Sequence, residues 1–522
     1  MTTLQGVDPR TGAFVGRPVP ETTTRELDLI LDLAVSARRT CAASNVEDRA
    51  AWLRAVAASL EIGRAMLVEL ADFETALGEL RLNGELNRMI AQLELFVEVI
   101  MDGSYQQVII DDANTHATPP RPGLRRSLRA IGPVGIWAAS NFPFAFGVIG
   151  GDSVSAIAAG CPVIVKAHPS QPSLSALLGA LVADSLSEAG APPGVFATIH
   201  GMPAGEALIT DRRLKAASFT GSVQGGRALF DLASRRAEPI PFFGELGSIN
   251  PVFVTAAAAR VRTQELVEGL VTSVSQGVGQ FCTKPGLVFV PANTGIAGLV
   301  SAAMSSQPAG AMLNCSIKSG FESGADAIAA LDGVRMSESS GAVSESGSWV
   351  MPRVATTTLD TFMLNMDVLA EECFGPVTVI VEYSDPAGLV DAARALPGSL
   401  TATIHGEADD SQDLIFCRAL TDVLQDSVGR MIWNGWPTGV AVAWGMQHGG
   451  PFPASTNSAT TSVGAMAIAR WLRPITFQSF PETLMPPSLT GGASRGLIRH
   501  NGAPIVMTEG HCTPTPPAEA RS

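Results

Sequence analysis

The sequence predicts an α/β protein made of two stacked α/β units. With 522 residues the chain exceeds the size at which one hydrophobic core stops growing, so two or three structural units are expected. Apolar residues recur at helical spacing from Arg25 to Met101, which predicts an all-helical opening. After a Pro-rich loop at Thr118–Gly123, short apolar β-prone runs alternate with amphipathic stretches of helix length. This alternation is typical of βαβ units that form a mainly parallel sheet.

The predicted strands fall into two groups along the chain. The first group is Ala130–Trp137, Pro162–Lys166, Val195–Ile199, Ala216–Phe219 and Pro251–Val254. The second group is Leu287–Val290, Val377–Val381, Leu400–Ile404 and Met431–Trp433. Between them, Val261–Ser275 is predicted to be a helix and Gln276–Gln280 a Gly-rich loop. The tail Gly510–Ser522 is rich in Pro, Thr and Ala without periodicity, which favours disorder.

Composition and charge narrow the classes of function. The formal net charge of -14 disfavours binding to nucleic acid or to an anionic membrane. No apolar run is long enough for a membrane span, and Met1–Pro20 lacks the pattern of a secretion signal, so a cytoplasmic protein is expected. The cysteines have no C-x-x-C spacing and the histidines no H-x-x-H spacing, so neither disulfides nor a catalytic metal is predicted. A small-molecule partner is favoured.

Three polar residues stand in otherwise apolar or Gly-rich surroundings. They are Asn141 in Ser-Asn-Phe-Pro, Glu245 in Phe-Gly-Glu-Leu-Gly and Cys282 in Gly-Gln-Phe-Cys-Thr-Lys-Pro-Gly. Each has an ordinary explanation when taken alone, because a lone Cys is usually inert and buried and the other two are usually turn residues. The Gly-rich loop before Cys282 could instead hold a thiol at a mobile, solvent-reachable bend. A thiolate is the side chain best suited to attack a carbonyl carbon near neutral pH.

Further motifs follow in the same chain, namely Val-Lys-Ala at 165–167, Phe-Thr-Gly-Ser at 219–222 and Glu-Glu-Cys-Phe-Gly-Pro at 371–376. Together with the three residues above, they resemble the aldehyde dehydrogenase superfamily over residues 5–490. The resemblance implies NAD(P)-dependent oxidation of an aldehyde to a carboxylic acid. It makes Cys282 the nucleophile that forms a thioester, and it assigns the Asn141 amide and the Cys282 backbone N–H to the oxyanion. Glu245 is then the general base for hydrolysis, with a pKa expected to be raised toward neutrality.

A Gly-rich turn lies between the strand that ends at Phe219 and a predicted helix. Gly221, Ser222 and Gly226 would let phosphate oxygens approach backbone N–H groups at the helix N-terminus. By its spacing alone the turn is an ordinary strand-to-helix connection, because it departs from G-x-G-x-x-G. The resemblance makes it the cofactor loop and places Lys166 on the adenosine ribose.

The resemblance also places Glu372 on the nicotinamide ribose and Phe374 against the nicotinamide. NAD-preferring relatives carry an acidic residue three positions after the strand lysine, where this chain has Pro169. A carboxylate there would repel a 2′-phosphate, so its absence favours acceptance of NADP at least as well as NAD. Ser170 and Arg213 are the predicted phosphate contacts, although an arginine in such a position is often merely solvated.

Two more residues complete the candidates. Lys284, two positions after Cys282, either adds positive potential at the substrate or is a surface lysine. His448, in Gln-His-Gly-Gly-Pro-Phe-Pro, is expected to be structural or substrate-adjacent rather than catalytic.

The resemblance implies three structural parts. These are a Rossmann-like cofactor domain (1–118 and 131–243), an α/β catalytic domain (244–444), and a small β extension (119–130 and 471–500) that pairs subunits into a homodimer or homotetramer. Val-Lys-Ala-His-Pro and the ending His-Gly-Gly-Pro-Phe-Pro-Ala-Ser-Thr are most similar to the 2,5-dioxovalerate (α-ketoglutarate semialdehyde) dehydrogenase group. Three alternatives stay open: an NADP-dependent dehydrogenase of fatty or other aldehydes, a CoA-acylating enzyme, and a non-catalytic binding or structural subunit. Glu245 argues against the CoA-acylating enzyme, which needs no general base for hydrolysis, and the intact Cys282, Glu245 and Asn141 argue against the non-catalytic subunit.

Overall fold

The chain opens with a hairpin and four helices. The computed structural model describes residues 2–337, 341, 343–486, 489–490, 496–508 and 511–514. The first elements are β1 (Thr3–Val7), β2 (Phe14–Pro20), α1 (Thr24–Ala43), α2 (Val46–Ile62), α3 (Arg64–Thr75) and α4 (Glu79–Asp102). Thr23 and Glu26 form a reciprocal capping box at the start of α1, and Asn45 caps α2. No helix in the described ranges is both long and apolar enough to cross a bilayer.

The next part builds a parallel sheet. Its elements are β3 (Ile109–Asp111), β4 (Leu124–Ala130), β5 (Val134–Trp137), α5 (Gly151–Ala159), β6 (Val163–Lys166), α6 (Pro172–Glu188), β7 (Phe196–Ile199), α7 (Met202–Thr210), β8 (Ala216–Thr220), α8 (Val223–Arg235) and β9 (Phe242–Glu245). Five strands pair in the order β7-β6-β5-β8-β9, all parallel. The strand order reverses beside β5, and such a switch point opens a crevice at the carboxyl ends of the strands.

A second sheet follows. Its part of the chain contains β10 (Val252–Val254), α9 (Ala256–Ser275), β11 (Leu287–Pro291), α10 (Ile296–Ser305), β12 (Gly310–Ala311), α11 (Cys315–Ala329), β13 (Arg335–Met336), β14 (Trp349–Val350), β15 (Arg353–Thr358), α12 (Leu359–Leu364), α13 (Met366–Leu369), β16 (Val377–Tyr383), α14 (Pro386–Ala395), β17 (Ser399–His405), α15 (Ser411–Leu424) and β18 (Val428–Trp433). Seven strands pair in the order β13-β15-β16-β11-β10-β17-β18, and only the pair β13 and β15 is antiparallel. The two parallel sheets agree with the predicted α/β class.

The third sheet joins distant parts of the chain. Its last strands are β19 (Leu472–Gln478), β20 (Gly496–His500), β21 (Ala503–Thr508) and β22 (His511–Pro514), and the order is β19-β4-β3-β20-β21-β22. The predicted extension segments therefore pair with each other, β4 with β19. Two predicted limits differ from the structure. The strand β3 lies in this sheet, although the prediction gave residues 1–118 to the cofactor domain. The strand β22 pairs with β21, although Gly510–Ser522 was expected to be disordered. Residues 510 and 515–522 lie outside the described part.

Beyond β18 the chain returns to the first sheet. Leu246 N–H donates to the Ala454 carbonyl and Thr456 N–H to the Gly244 carbonyl, so this segment runs along the edge of β9. Trp471 is fully buried in the core shared by the opening helices and the first sheet. The predicted end of the catalytic domain at 444 thus precedes a segment that belongs to the packing of both units.

Candidate active site

Cys282 lies on a tight loop between α9 and β11. The three residues Gly277, Val278 and Gly279 all have left-handed backbones, with φ of 57°, 58° and 64°. A β-branched residue is strained there, so the surrounding packing must hold Val278 in place. Cys282 itself is partly exposed, as a nucleophile must be. The Gly-rich segment is therefore a strained turn that leaves the thiol partly accessible to solvent, whereas the sequence predicted a mobile, solvent-reachable bend.

Asn250 fixes the backbone beneath the thiol. Its buried Nδ2 donates to the Cys282 carbonyl at 2.8 Å and to the Lys284 carbonyl at 3.0 Å, while its Oδ1 accepts from Ser248 Oγ at 2.7 Å. Asn250 also has a positive φ of 51°, which asparagine tolerates better than most residues. Sequence reasoning missed this residue, although Ser-Ile-Asn-Pro directly after the Glu245 motif was a visible signal.

Glu245 and His448 form a buried pair beside the thiol. Glu245 ends β9 and is only 4% exposed, and His448 is 1% exposed. Nε2 of His448 lies 2.9 Å from Glu245 Oε1 and 3.5 Å from Cys282 Sγ, and Ser462 Oγ donates to Glu245 Oε2. These distances place His448 in contact with both predicted catalytic side chains. The sequence signal was weak because 203 positions separate His448 from Glu245.

The surroundings shift the pKa values of Glu245 and Cys282 in opposite directions. Burial alone would raise the pKa of Glu245, but His448 and the Ser462 hydroxyl outweigh it, so the pKa lies below its ordinary value. The expectation of a raised pKa is therefore wrong. Burial raises the pKa of Cys282 well above its ordinary value, the charges of Glu245 and Glu372 add to this, and Arg88 opposes it. The thiol is thus kept neutral unless a donor stabilises its anion.

Cys282, Glu245 and His448 also offer one sulfur, one oxygen and one nitrogen within 4.8 Å of one another. Such atoms suit Zn²⁺, so these are the residues that could hold a metal ion.

Asn141 lies against the same loop. Its Nδ2 donates to the Gln280 carbonyl at 3.1 Å, two residues before Cys282, and its own carbonyl accepts from Arg81 Nη2 at 2.6 Å. An amide nitrogen carries two N–H groups, so the second one is free for another acceptor.

The cofactor candidates Lys166 and Gly221 follow two strands that flank β5, at the same edge of the sheet. Lys166 is 5% exposed, and its Nζ contacts only the sulfur of Met202, at 3.4 Å, among the described residues. Burial lowers its pKa to about 8, against the opposing effect of Glu21. A buried ammonium group without an oxygen partner fits a ligand hydroxyl or phosphate.

The turn after β8 has the form expected of a phosphate loop. Ser222 caps α8, and its Oγ accepts from Gly225 N–H at 3.2 Å. A Cβ on Gly226 would lie 2.0 Å from Leu246 Cδ2, so Gly226 permits close packing of α8. Gly221 and Ser222 are exposed, which leaves the first N–H groups of α8 accessible.

Glu372 and Lys284 connect the cofactor side to the Cys282 loop. Glu372 Oε2 accepts from Ser248 N–H at 3.1 Å, and burial raises its pKa to about 7. Lys284 is 2% exposed, and its Nζ donates to the Cys373 and Val377 carbonyls at 3.2 and 2.7 Å. The alternative of a surface lysine is therefore wrong, and the two hydrogen bonds hold the 371–377 segment in place. Phe374 is partly buried in that segment.

Arg213 requires a further correction. Its guanidinium forms ion pairs with Asp28 at 2.7 Å, Asp32 at 2.7 Å and Asp211 at 2.8 Å, and these bonds raise its pKa. Three carboxylates already occupy its donors, so it is not available to a 2′-phosphate. Ser170 is partly buried, and its Oγ accepts from Asn314 Nδ2 at 2.7 Å.

The fold and the site define a class of protein. The family described as "Aldehyde dehydrogenase family" matches residues 2–462, and the chain belongs to that family. It is therefore an oxidoreductase that oxidises aldehydes with NAD or NADP, and the non-catalytic alternative is excluded.

Individual relatives sharpen the comparison. The chain is 39% identical over 494 residues to "Alpha-ketoglutaric semialdehyde dehydrogenase 2" of Azospirillum brasilense, covering 93% of each chain. It is 36% identical to "Alpha-ketoglutaric semialdehyde dehydrogenase" of Acinetobacter baylyi, covering 92% of this chain and 91% of the other. A structure of 1-pyrroline-5-carboxylate dehydrogenase from Thermus with bound NAD is similar in fold, with a TM-score of 0.76, 21% identity, and coverage of 92% and 90%.

Proposed function

We propose that this enzyme oxidises 2,5-dioxovalerate to 2-oxoglutarate through a thioester on Cys282. The observation that supports this most directly is the contact of the partly exposed Cys282 with the buried pair of His448 and Glu245, in a chain 39% identical to an α-ketoglutaric semialdehyde dehydrogenase. NAD or NADP, when bound, accepts the hydride of the aldehyde.

Because burial raises the pKa of Cys282, its thiolate needs a hydrogen-bond donor to stabilise it. Glu245 has a lowered pKa and is therefore an acceptor, so it keeps the proton on Nε2 of His448. The same N–H lies 3.5 Å from Cys282 Sγ and can stabilise the thiolate. After the thiolate attacks the aldehyde carbon, the free N–H of Asn141 and the Cys282 backbone N–H stabilise the oxyanion.

The same pair serves hydrolysis of the thioester. Glu245 is the group that removes a proton from water, and His448 and Ser462 hold its carboxylate in place. Lys166 and the N-terminus of α8 would hold the adenosine ribose and the pyrophosphate, with Glu372 and Phe374 at the nicotinamide end.

We further propose that NADP is accepted at least as well as NAD. Pro169 is exposed and carries no charge, so no carboxylate repels a 2′-phosphate there. Ser170 remains a phosphate contact in this proposal, and Arg213 does not. A homodimer or homotetramer formed through the third sheet is also proposed.

The test is steady-state oxidation of 2,5-dioxovalerate and of hexanal with each cofactor. We expect a higher kcat/KM for 2,5-dioxovalerate, no requirement for CoA, and no turnover by the Cys282→Ala variant. Faster use of hexanal would move the enzyme to the fatty-aldehyde group, and an acyl-CoA product would show the CoA-acylating reaction.

A further inference from the structure

One face of α4 carries three charged side chains close to the Cys282 loop. Arg81, Glu85 and Arg88 stand at positions i, i+4 and i+7, so they share this face. Glu85 is 5% exposed and both arginines are partly buried. Charges on a buried helix face need partners, and the partners differ between the three.

Arg81 already has partners in the site, although its buried Nη1 has no hydrogen-bond acceptor among the described residues. Its guanidinium lies 5.0 Å from the ring centroid of Phe142 and 4.7 Å from that of Phe281, and its Nη2 donates to the Asn141 carbonyl. It therefore ties the backbone of Asn141 to the residue that precedes Cys282.

Glu85 is engaged in a similar way. Its Oε1 accepts from the backbone N–H groups of Phe144 and Ala145 at 2.8 and 2.9 Å. It holds the loop after Asn141, and its second oxygen, Oε2, has no hydrogen-bond partner among the described residues.

Arg88 has no such partner. Its guanidinium lies 5.9 Å from the ring centroid of Phe142 and 5.4 Å from that of Phe146, and its buried Nε has no hydrogen-bond acceptor among the described residues. Burial lowers the pKa of Arg88, which shows the cost of keeping this cation out of water. The charges of Glu85, Cys282 and Glu245 act on Arg88, but none of these groups forms a hydrogen bond or an ion pair with it among the described residues. The planar anion that suits a guanidinium is therefore missing.

The position of Arg88 connects it to the reacting atoms. Phe142 directly follows Asn141, and the Phe146 ring lies 6.4 Å from the ring of His448. The positive charge of Arg88 also lowers the pKa of Cys282. The Phe142 ring in turn lies 5.1 Å from the ring of Phe281, which precedes Cys282, so one aromatic ring separates Arg88 from Phe281 and another separates it from His448.

We propose that Arg88 binds the carboxylate of the substrate and so selects aldehydes that carry an acidic group at the far end. The proposal rests on the proposed function, because it assumes a semialdehyde substrate. In 2,5-dioxovalerate four carbon–carbon bonds of about 1.5 Å each separate the aldehyde carbon from the carboxyl carbon, so an anchor for the carboxylate must lie close to Cys282.

Arg430 is the nearest rival, since its charge also interacts with that of Cys282. Its Nη1 and Nη2 donate to the Gly439 carbonyl at 3.2 Å, and Nη2 also donates to the Pro437 carbonyl at 2.9 Å. Both terminal nitrogens of Arg430 already have acceptors, so Arg88 is the better anchor.

The experiment compares two aldehydes of equal chain length, 5-oxopentanoate and pentanal, which differ only in the terminal carboxylate. The variants are Arg88→Met, Arg88→Lys and a control, Arg54→Met. Arg54 is exposed, and it forms an ion pair with Glu94 on the solvent side of α4. The readout is the ratio of kcat/KM for the two aldehydes, because a change in Cys282 reactivity affects both substrates and cancels.

We expect Arg88→Met to lower this ratio about 10- to 100-fold, the range for one lost charged hydrogen bond, with activity on pentanal retained. Arg88→Lys should recover part of the ratio and Arg54→Met should leave it unchanged. As a binding measurement, glutarate should protect Cys282 from iodoacetamide in the wild type but not in Arg88→Met.

The outcomes separate the two proposals. If the wild type itself does not prefer 5-oxopentanoate over pentanal, the proposed substrate class is wrong. If the wild type has the preference and Arg88→Met keeps it, only the role of Arg88 is wrong. If Arg430→Met lowers the ratio of kcat/KM for 5-oxopentanoate and pentanal and Arg88→Met does not, Arg430 is the residue that binds the carboxylate.

Discussion

Replacement of His448 tests whether its Nε2 proton stabilises the Cys282 thiolate. A hydrogen bond to a charged group contributes about 1.5 to 3 kcal/mol, which equals about one to two pKa units. Losing a donor to the anion favours the neutral thiol, so the pKa of Cys282 should rise further in His448→Ala. Glu245 complicates the change, because without His448 its pKa rises and its repulsion of the thiolate weakens. We therefore expect a net rise of about one unit.

The assay is the pH dependence of alkylation by iodoacetamide, which is uncharged, followed at Cys282 by mass spectrometry. Cys315 is exposed and serves as an internal control whose profile should not change. Glu245→Gln removes a charge that raises the pKa of Cys282 and should shift the profile to lower pH. Shifts of His448→Ala and Glu245→Gln in the same direction, or no shift in His448→Ala, would refute this account.

Three further predictions follow from the site and its surroundings. Glu245→Gln should give a stoichiometric burst of reduced cofactor followed by a steady state slowed about 10²- to 10⁴-fold, measured by stopped flow, and an unchanged steady state would remove Glu245 from the base role. Arg213→Ala should leave the ratio of KM values for NADP and NAD unchanged while it lowers the Tm, since Arg213 holds Asp28, Asp32 and Asp211; a selective loss of NADP would contradict this. Glu372 has a folded-state pKa raised to about 7, so its folded form binds a proton more tightly than its unfolded form and wild-type stability falls as pH rises from about 4.5 to about 7. The Tm advantage of Glu372→Gln should therefore grow between about pH 5 and about pH 8, and a constant difference would show that Glu372 is not shifted.

Local patterns predicted most strands and helices because each depends on neighbouring residues. Val163–Lys166, Phe196–Ile199 and Leu287–Pro291 all lie within one residue of the predicted runs. The short strand Ile109–Asp111 was missed because it pairs with β4 and β20, whose contribution no local pattern contains. The strand His511–Pro514 was missed for the same reason, since its pairing with β21 outweighs a composition typical of disorder.

In the site, too, residues within local motifs could be predicted, and residues defined by distant contacts could not. The motif residues Cys282, Glu245 and Asn141 could be named because each stands in a distinctive segment. His448 was named only as a structural or substrate-adjacent residue and Arg88 was not singled out, because their contacts join parts of the chain that are far apart in sequence. Arg213 was misassigned since an arginine before a strand gives no sign of the carboxylates on α1 that bind it.

The two carboxylates nearest to Cys282 show how one site separates their roles. Glu245 is buried and Glu372 is partly buried, yet the pKa of Glu245 is lowered and that of Glu372 is raised to about 7. The difference follows from their partners, because Glu245 has a histidine and a serine hydroxyl, whereas Glu372 has one backbone N–H and feels the negative charge of Glu245. Groups whose environments push their pKa values apart take different tasks. In the proposed function, Glu245 is therefore ionised and accepts a proton, while Glu372 keeps a proton near neutral pH and would donate it in a hydrogen bond to a hydroxyl of the cofactor.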